Sequence, residues 1–115
     1  MTPYKRGDVV LVAFPFTDLT TTKMRPAIVI SSEKINRKFN DIVVAAVTSN
    51  ISKKPSEDEL LLTTSDQTCA GLPKTSMAKL SKIVTLDQRL IRKKLGYIPT
   101  ETLLKITHII YSVLQ

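Results

Sequence analysis

Three uninterrupted apolar runs set the rhythm of the first half of the chain: "DVVLVAF" at 8–14, "PAIVIS" at 26–31 and "DIVVAAVT" at 41–48. Each is rich in β-branched residues and bounded by Gly, Pro, Asn or Asp, the signature of a short strand. None alternates with polar residues, so both faces are expected to be covered. Between the second and third lies only "SEKINRKFN", room for about two helical turns and less than a parallel crossover needs, so the pairing there is expected to be antiparallel. "ELLLTT" (59–64), "TSMAKL" (75–80) and "KIVTLD" (82–87) read as further strands, with "NISKKPSED" and "SDQTCAGLPK" as loops punctuated by Pro and Gly. Many short strands in one small unit favour a curled sheet or barrel.

The pattern changes at the C-terminus. "PTETLLKITHIIYSVLQ" opens with Pro99 and a Thr100 suited to capping, then Glu101 in a first turn. Leu103, Ile106, Ile110, Val113 and Leu114 recur at helical spacing, while Glu101, Lys105, His108 and Ser112 fall on the other side. The expectation is one amphipathic helix with His108 facing solvent.

At 115 residues the chain fits a single domain, 1–115, with no repeat or composition break. No apolar run approaches the roughly 20 residues of a membrane span, so no membrane partner is expected. "MTPYKRGDVV" carries no secretory signal, and the expected location is the cytoplasm. One Cys and one His cannot assemble a usual zinc site or an internal disulfide, so no metal and no cofactor is expected. Charge points elsewhere. Lys and Arg number 17 against 10 Asp and Glu, a formal net charge of +7. They cluster at Lys5-Arg6, Lys23-Arg25, Lys34-Arg37-Lys38, Lys53-Lys54 and Arg92-Lys93-Lys94, the footprint of a polyanionic partner such as nucleic acid.

Side-chain chemistry narrows the site. His108 lies on a polar helix face, and Cys69 in "DQTCAG" has no neighbouring cation to lower its pKa. Glu57, Asp58 and Glu59 beside Lys53 and Lys54 read as a solvated loop. Arg25 in "KMRPAIVISS" is different, because Pro26 restricts it to extended geometry at the mouth of a strand. Its guanidinium suits two phosphate oxygens, though a salt bridge to Asp8 or Asp18 would equally occupy it. Thr48 and Ser49 end the third run in "AAVTSN", where a hydroxyl commonly caps a turn. Spacing alone does not join Arg25 to Thr48.

"KRGDVVLVAFPFTD", "KMRPAIVISS", "VVAAVTSN" and "GLPKTSMAKLSKIVTLDQRL", in that order, resemble the MazF/PemK family of toxin endoribonucleases from bacterial toxin-antitoxin pairs. The resemblance implies a mainly β fold with a C-terminal α-helix, a small SH3-like antiparallel barrel of the CcdB/PemK type. It also implies a homodimer, a cognate antitoxin segment that folds on the toxin, and metal-independent cleavage of single-stranded RNA (mRNA). The family's catalytic arginine falls on Arg25 and its strand-end hydroxyl on Thr48. Many relatives carry an acid where this chain has Thr75, so the expected general base has no carboxylate there; a first-loop histidine is missing as well.

The reaction expected is attack of the ribose 2′-hydroxyl on the adjacent phosphorus, leaving a 2′,3′-cyclic phosphate and a 5′-hydroxyl. Arg25 stabilises the charged phosphorane, and Thr48 orients the phosphate or relays a proton. Lys23, Thr17 with its hydroxyl-rich loop, Ser49, Lys53, Lys74 and Ser76 are candidates for guiding RNA, with Phe16, Phe14 or Tyr4 as stacking surfaces. Two other classes stay open: a non-catalytic, gyrase-poisoning toxin of the CcdB type, and a nucleic-acid-binding module without turnover.

Overall fold

In a computed structural model, residues 4–15, 22–51 and 54–115 are described. The order is β1 (Asp8–Pro15), β2 (Thr22–Val29), α1 (Glu33–Lys38), β3 (Asp41–Thr48), β4 (Glu59–Leu61), α2 (Thr64–Ala70), β5 (Met77–Asp87), a 3-10 turn (Gln88–Leu90), β6 (Ile91–Tyr97) and α3 (Thr100–Val113). The strands form one sheet in the order β4-β5-β3-β2-β1-β6, every neighbouring pair antiparallel.

The three apolar runs form the centre of this sheet, and both of their faces are buried, as their lack of alternation implies. Val9, Ile28, Ala45 and Val47 point to one core, which α2 and α3 cover with Ala70 and Ile106. Val10, Val12, Ala27, Val29, Ile42 and Val44 point to the other, joined by Leu86 and flanked by Tyr4, Val84 and Ile91. Alternation along the strands therefore assigns each residue to one of two layers. Tyr4, a stacking candidate from the sequence, packs against the second core.

Three expectations change. The stretches 75–80 and 82–87 are one strand, β5, whose ladder with β3 jumps from Lys79 to Ile83 across a bulge. "SDQTCAGLPK" contains α2, which a capping box between Thr63 and Asp66 starts and Gly71, at φ 70°, stops. "IRKKLGY" forms β6, an edge strand whose cationic composition hides its pleat.

α2 sits where the sheet fails to close. It follows β4, one edge, and packs on β6, the other. A Cβ on Gly96 would lie 2.2 Å from the Cys69 carbonyl oxygen, and one on Gly71 2.1 Å from that of Leu95. Backbone thus meets backbone without side chains between, and the helix bridges the two edges of a barrel-like sheet.

Asp66 ties this bridge to α3. It is buried, accepts the Thr63 backbone N–H at 3.0 Å, and takes the buried Thr102 hydroxyl at 2.6 Å. α3 buries Ile106 and half-buries Leu103 and Ile110, as expected, whereas Val113 and Leu114 are exposed, Leu114 at 75%. Its N-cap position is Pro99 without a side-chain cap, so Thr100 begins the helix instead of capping it. His108 is exposed, as the helix pattern predicts. Among the described residues no helix is long and apolar enough to cross a membrane.

Candidate active site

β1 and β2 pair continuously from Val9↔Ile28 to Pro15↔Thr22, which sets Arg25 opposite Val12. The ladder between β2 and β3 is shorter. It runs Val29↔Val44, Ile28↔Ala45 and Ala27↔Ala46, and stops beside Pro26, which has no N–H to give. Continuing the same register two residues further sets Arg25 opposite Thr48, one on each bank of the gap. The proline thus does two things: it holds Arg25 extended, and it marks the point where the two central strands part.

Both side chains lie on the layer of Val12, Ala27 and Val44, because alternation carries 27 to 25 and 44 to 48. Both are half-buried. Lys23, two residues before Arg25, falls on the same face and is exposed. Thr48 also pairs with Met77 on its other side. Its Oγ1 accepts the Asn50 backbone N–H at 3.1 Å, which closes the turn after β3. With one oxygen lone pair so engaged, the hydroxyl hydrogen and the second lone pair remain, and Thr48 is able to donate to a ligand.

Ser49 is exposed at the head of the following loop. The far end of that loop is anchored: Asp58 accepts the Ser56 and Ser81 hydroxyls, Glu59 accepts the Ser56 backbone N–H, and Lys79 bridges to Glu59 at 3.2 Å. The Ser56 and Ser81 hydroxyls hold the Asp58 carboxyl below its ordinary range, and the Ser56 contacts do the same for Glu59. The acidic run is therefore structural at Asp58 and Glu59 and not merely solvated.

Lys74 is exposed, whereas Ser76 is buried and donates its hydroxyl to the Lys74 carbonyl at 2.9 Å. Ser76 thereby shapes the turn that carries Lys74. Thr17, Phe16 and Lys53 lie outside the described residues. Arg25, Thr48, Lys23 and Ser49 are brought together at one end of β2 and β3, with Lys74 and Ser76 next to them ahead of β5.

Other groups are placed away from this end. Asp8 is buried four residues along β1 from Val12; it accepts the Lys5 N–H at 2.9 Å and pairs with Lys94 at 3.2 Å. Cys69 is half-buried at the seam of α2 and β6, where its thiol holds the Tyr97 phenol above its usual range. Among the described residues no three His, Cys, Asp or Glu side chains group as metal ligands. What this end of the sheet offers is a guanidinium, a hydroxyl and ammonium groups, a set that binds and stabilises phosphate negative charge.

A profile of the PemK-like, MazF-like toxins of type II toxin-antitoxin systems matches residues 5–114. Among solved structures, an endoribonuclease in complex with its cognate antitoxin from a mycobacterial species is 22% identical. The match covers 96% of this chain and 94% of that one, with a TM-score of 0.77. A MazE-MazF structure from Deinococcus radiodurans is also 22% identical, over 97% and 95% of the two chains, with a TM-score of 0.74. The Mycobacterium tuberculosis toxin MazF-mt6 reaches 0.71 at 14% identity, over 91% and 95%. At such identities the likeness is one of fold.

Proposed function

Because the chain belongs to the PemK-like, MazF-like toxins of type II toxin-antitoxin systems, we propose that it is an endoribonuclease that cuts single-stranded RNA, mRNA above all, at selected sequences without a metal. The observation that supports this reading is the β2–β3 register, which, extended two residues beyond its last pair Ala27↔Ala46, brings Arg25 opposite Thr48. A phosphodiester laid between them meets a guanidinium fork from one side and a hydroxyl donor from the other.

The ribose 2′-oxygen attacks phosphorus in line, forming the O2′–P bond as the P–O5′ bond breaks. The 2′-hydroxyl loses its proton and the leaving 5′-oxygen gains one, giving a 2′,3′-cyclic phosphate and a 5′-hydroxyl. In between, the phosphorane carries two negative charges on its equatorial oxygens. Arg25 answers that charge, and a well-placed donor contributes roughly 3 to 4 kcal/mol to such a transition state. Its planar fork of N–H donors matches two phosphoryl oxygens, so its role is charge stabilisation. Thr48, already accepting from Asn50, donates to a non-bridging oxygen and fixes the phosphate. Lys23, Ser49, Lys53, Lys74 and the Thr17 loop steer the strand by charge and hydrogen bonding.

Two assembly features accompany this reading. The solved relatives include toxins with their antitoxins, and a chain of net charge +7 favours an acidic antitoxin segment that occupies the same basic cleft and blocks RNA. Leu104, Tyr111 and Leu114 on α3 are 65% exposed or more, apolar area suited to burial in a homodimer. The reaction takes place in the cytoplasm, where the mRNA is.

The test is incubation of the purified protein with a mixed-sequence RNA in EDTA, followed by mapping of the ends. Cleavage in EDTA with 2′,3′-cyclic phosphate or 3′-phosphate and 5′-hydroxyl ends is expected. RNA that is retarded on a gel yet unchanged in length identifies a binding module without turnover and refutes the reading.

A further inference from the structure

β6 carries three exposed cations in succession, Arg92, Lys93 and Lys94, on an edge strand. The first of them sits at a bulge. Lys93 pairs with Leu11 and Ile91 with Val12, so Arg92 has no partner on β1. Ile91 packs against the core of Val12 and Ala27, and Lys94 reaches Asp8, which is on that same layer. Alternation from Lys94 brings Arg92 to this layer as well, while Lys93 opposite Leu11 falls on the other. The bulge thus turns two successive residues, Ile91 and Arg92, to the face that carries Arg25.

The position along the sheet is equally specific. Thr48, Arg25, Val12 and Ile91 lie at one level of four neighbouring strands. Arg25 and Ile91 are two strand spacings apart, about 10 Å. Of the cations near this end of β6, Arg89 is held in a fork by Asp87 and Lys94 by Asp8. Arg92 has no ion pair among the described residues, and it is exposed. A bulge at an edge strand that aims an unpaired guanidinium along the active layer calls for an anionic ligand.

We infer that Arg92 is a second phosphate-binding residue, which holds a backbone phosphate of the RNA next to the scissile one. This rests on the reading of the protein as a ribonuclease whose centre is Arg25 and Thr48. The strand enters over Lys74 and Ser49, presents the reacting phosphate between Thr48 and Arg25, and leaves toward Arg92. Because Arg92 meets a phosphate that does not react, its contact is equally strong in ground and transition states, so it sets affinity and register and leaves the chemical step alone.

Binding and cleavage are measured separately. The binding probe is a fluorescent, mixed-sequence 2′-O-methyl oligonucleotide, which lacks the nucleophile and stays intact. Arg92→Gln is expected to raise its Kd by threefold to tenfold and to lower the slope of log K against log salt by about 0.7, the value of one contact on a single strand. Arg92→Lys restores the slope, and Lys38→Gln on α1, at the far end of the sheet, leaves both unchanged. On all-ribose RNA, Arg92→Gln raises KM and leaves kcat at the parental value. An Arg92→Gln protein with parental Kd and slope overturns the inference, as does a Lys38→Gln protein that loses as much, or a parent that does not bind the probe. A parent that binds the probe but leaves all-ribose RNA intact refutes the nuclease reading instead, and the Kd series still decides the role of Arg92.

Discussion

The link between α2 and α3 makes a quantitative stability prediction. Asp66 accepts two bonds that matter: the Thr63 N–H at the start of α2 and the buried Thr102 hydroxyl on α3. Asp66→Ala removes the return half of the capping box, worth about 1 kcal/mol, and strands the Thr102 hydroxyl in a site only 8% exposed, worth about 1 to 3 kcal/mol. A loss of about 2 to 4 kcal/mol follows. Thr102→Val strands a carboxylate oxygen instead and costs about 1 to 3 kcal/mol on the same ground. In the double variant neither group is stranded, so its loss falls short of the sum by about 1 to 2 kcal/mol, the coupling of a contacting pair. Urea unfolding at a fixed protein concentration measures all three, and an additive double variant would show that the two groups do not share a bond. The pH dependence has a defined sign. Burial pushes the Asp66 carboxyl up, but bonds from Thr102 and Thr63 outweigh it and leave it below its ordinary value. Its contribution is therefore complete above the unfolded carboxylate pKa of about 3.9 and is lost as pH falls through the lower folded value. Asp66→Asn removes that acid-side slope.

Three further outcomes test the site and the seam. Arg25→Lys keeps a charge but loses the fork, so RNA affinity stays within about tenfold, or 1.4 kcal/mol, while the single-turnover rate falls roughly a hundredfold or more; a near-parental rate would reduce Arg25 to a phosphate clamp. Thr48→Ser cuts in the same assay and Thr48→Ala does not. Gly96→Ala drives a Cβ to 2.2 Å from the Cys69 carbonyl oxygen, backbone that cannot swing away, so it lowers stability by several kcal/mol, on the order of severe core changes; an unchanged urea midpoint would mean that α2 does not press on β6.

What the sequence disclosed follows the distribution of buried area. β1, β3 and the part of β2 from Pro26 onward bury both faces, so nearly every residue there is apolar and the runs declare themselves. α2 buries Asp66 and Ala70 alone among its seven residues, so no apolar period exists to be read. Its signal is the Thr63–Asp66 box with Gly71 behind it, which a reading by hydropathy passes over. β6 half-buries Ile91, Leu95 and Gly96 and leaves its middle to three cations, which reads as a charge cluster and not as a strand. The α3 stripe was legible over Leu103, Ile106 and Ile110 and failed at Val113 and Leu114, which the last turn leaves exposed.

The site was half legible for a different reason. The type of residue was readable: an extended arginine fixed by proline, and a hydroxyl at a strand end. Their meeting was not, because it depends on register, and register is a property of pairs. Val29 opposite Val44 fixes every later pair by a constant sum of residue numbers, and that sum sets position 25 against 48. A slip of one residue would turn Thr48 to the opposite layer from Arg25. What prevents the slip is the apolar content of both layers: Ile28 and Ala45 in one, Val29 and Val44 in the other, all fully buried. The site is therefore held in place by the strands that lead to it. Pro26 then follows the end of their ladder, whose last pair lies two residues short of the arginine, so Arg25 and Thr48 face each other beyond the paired part of the two strands.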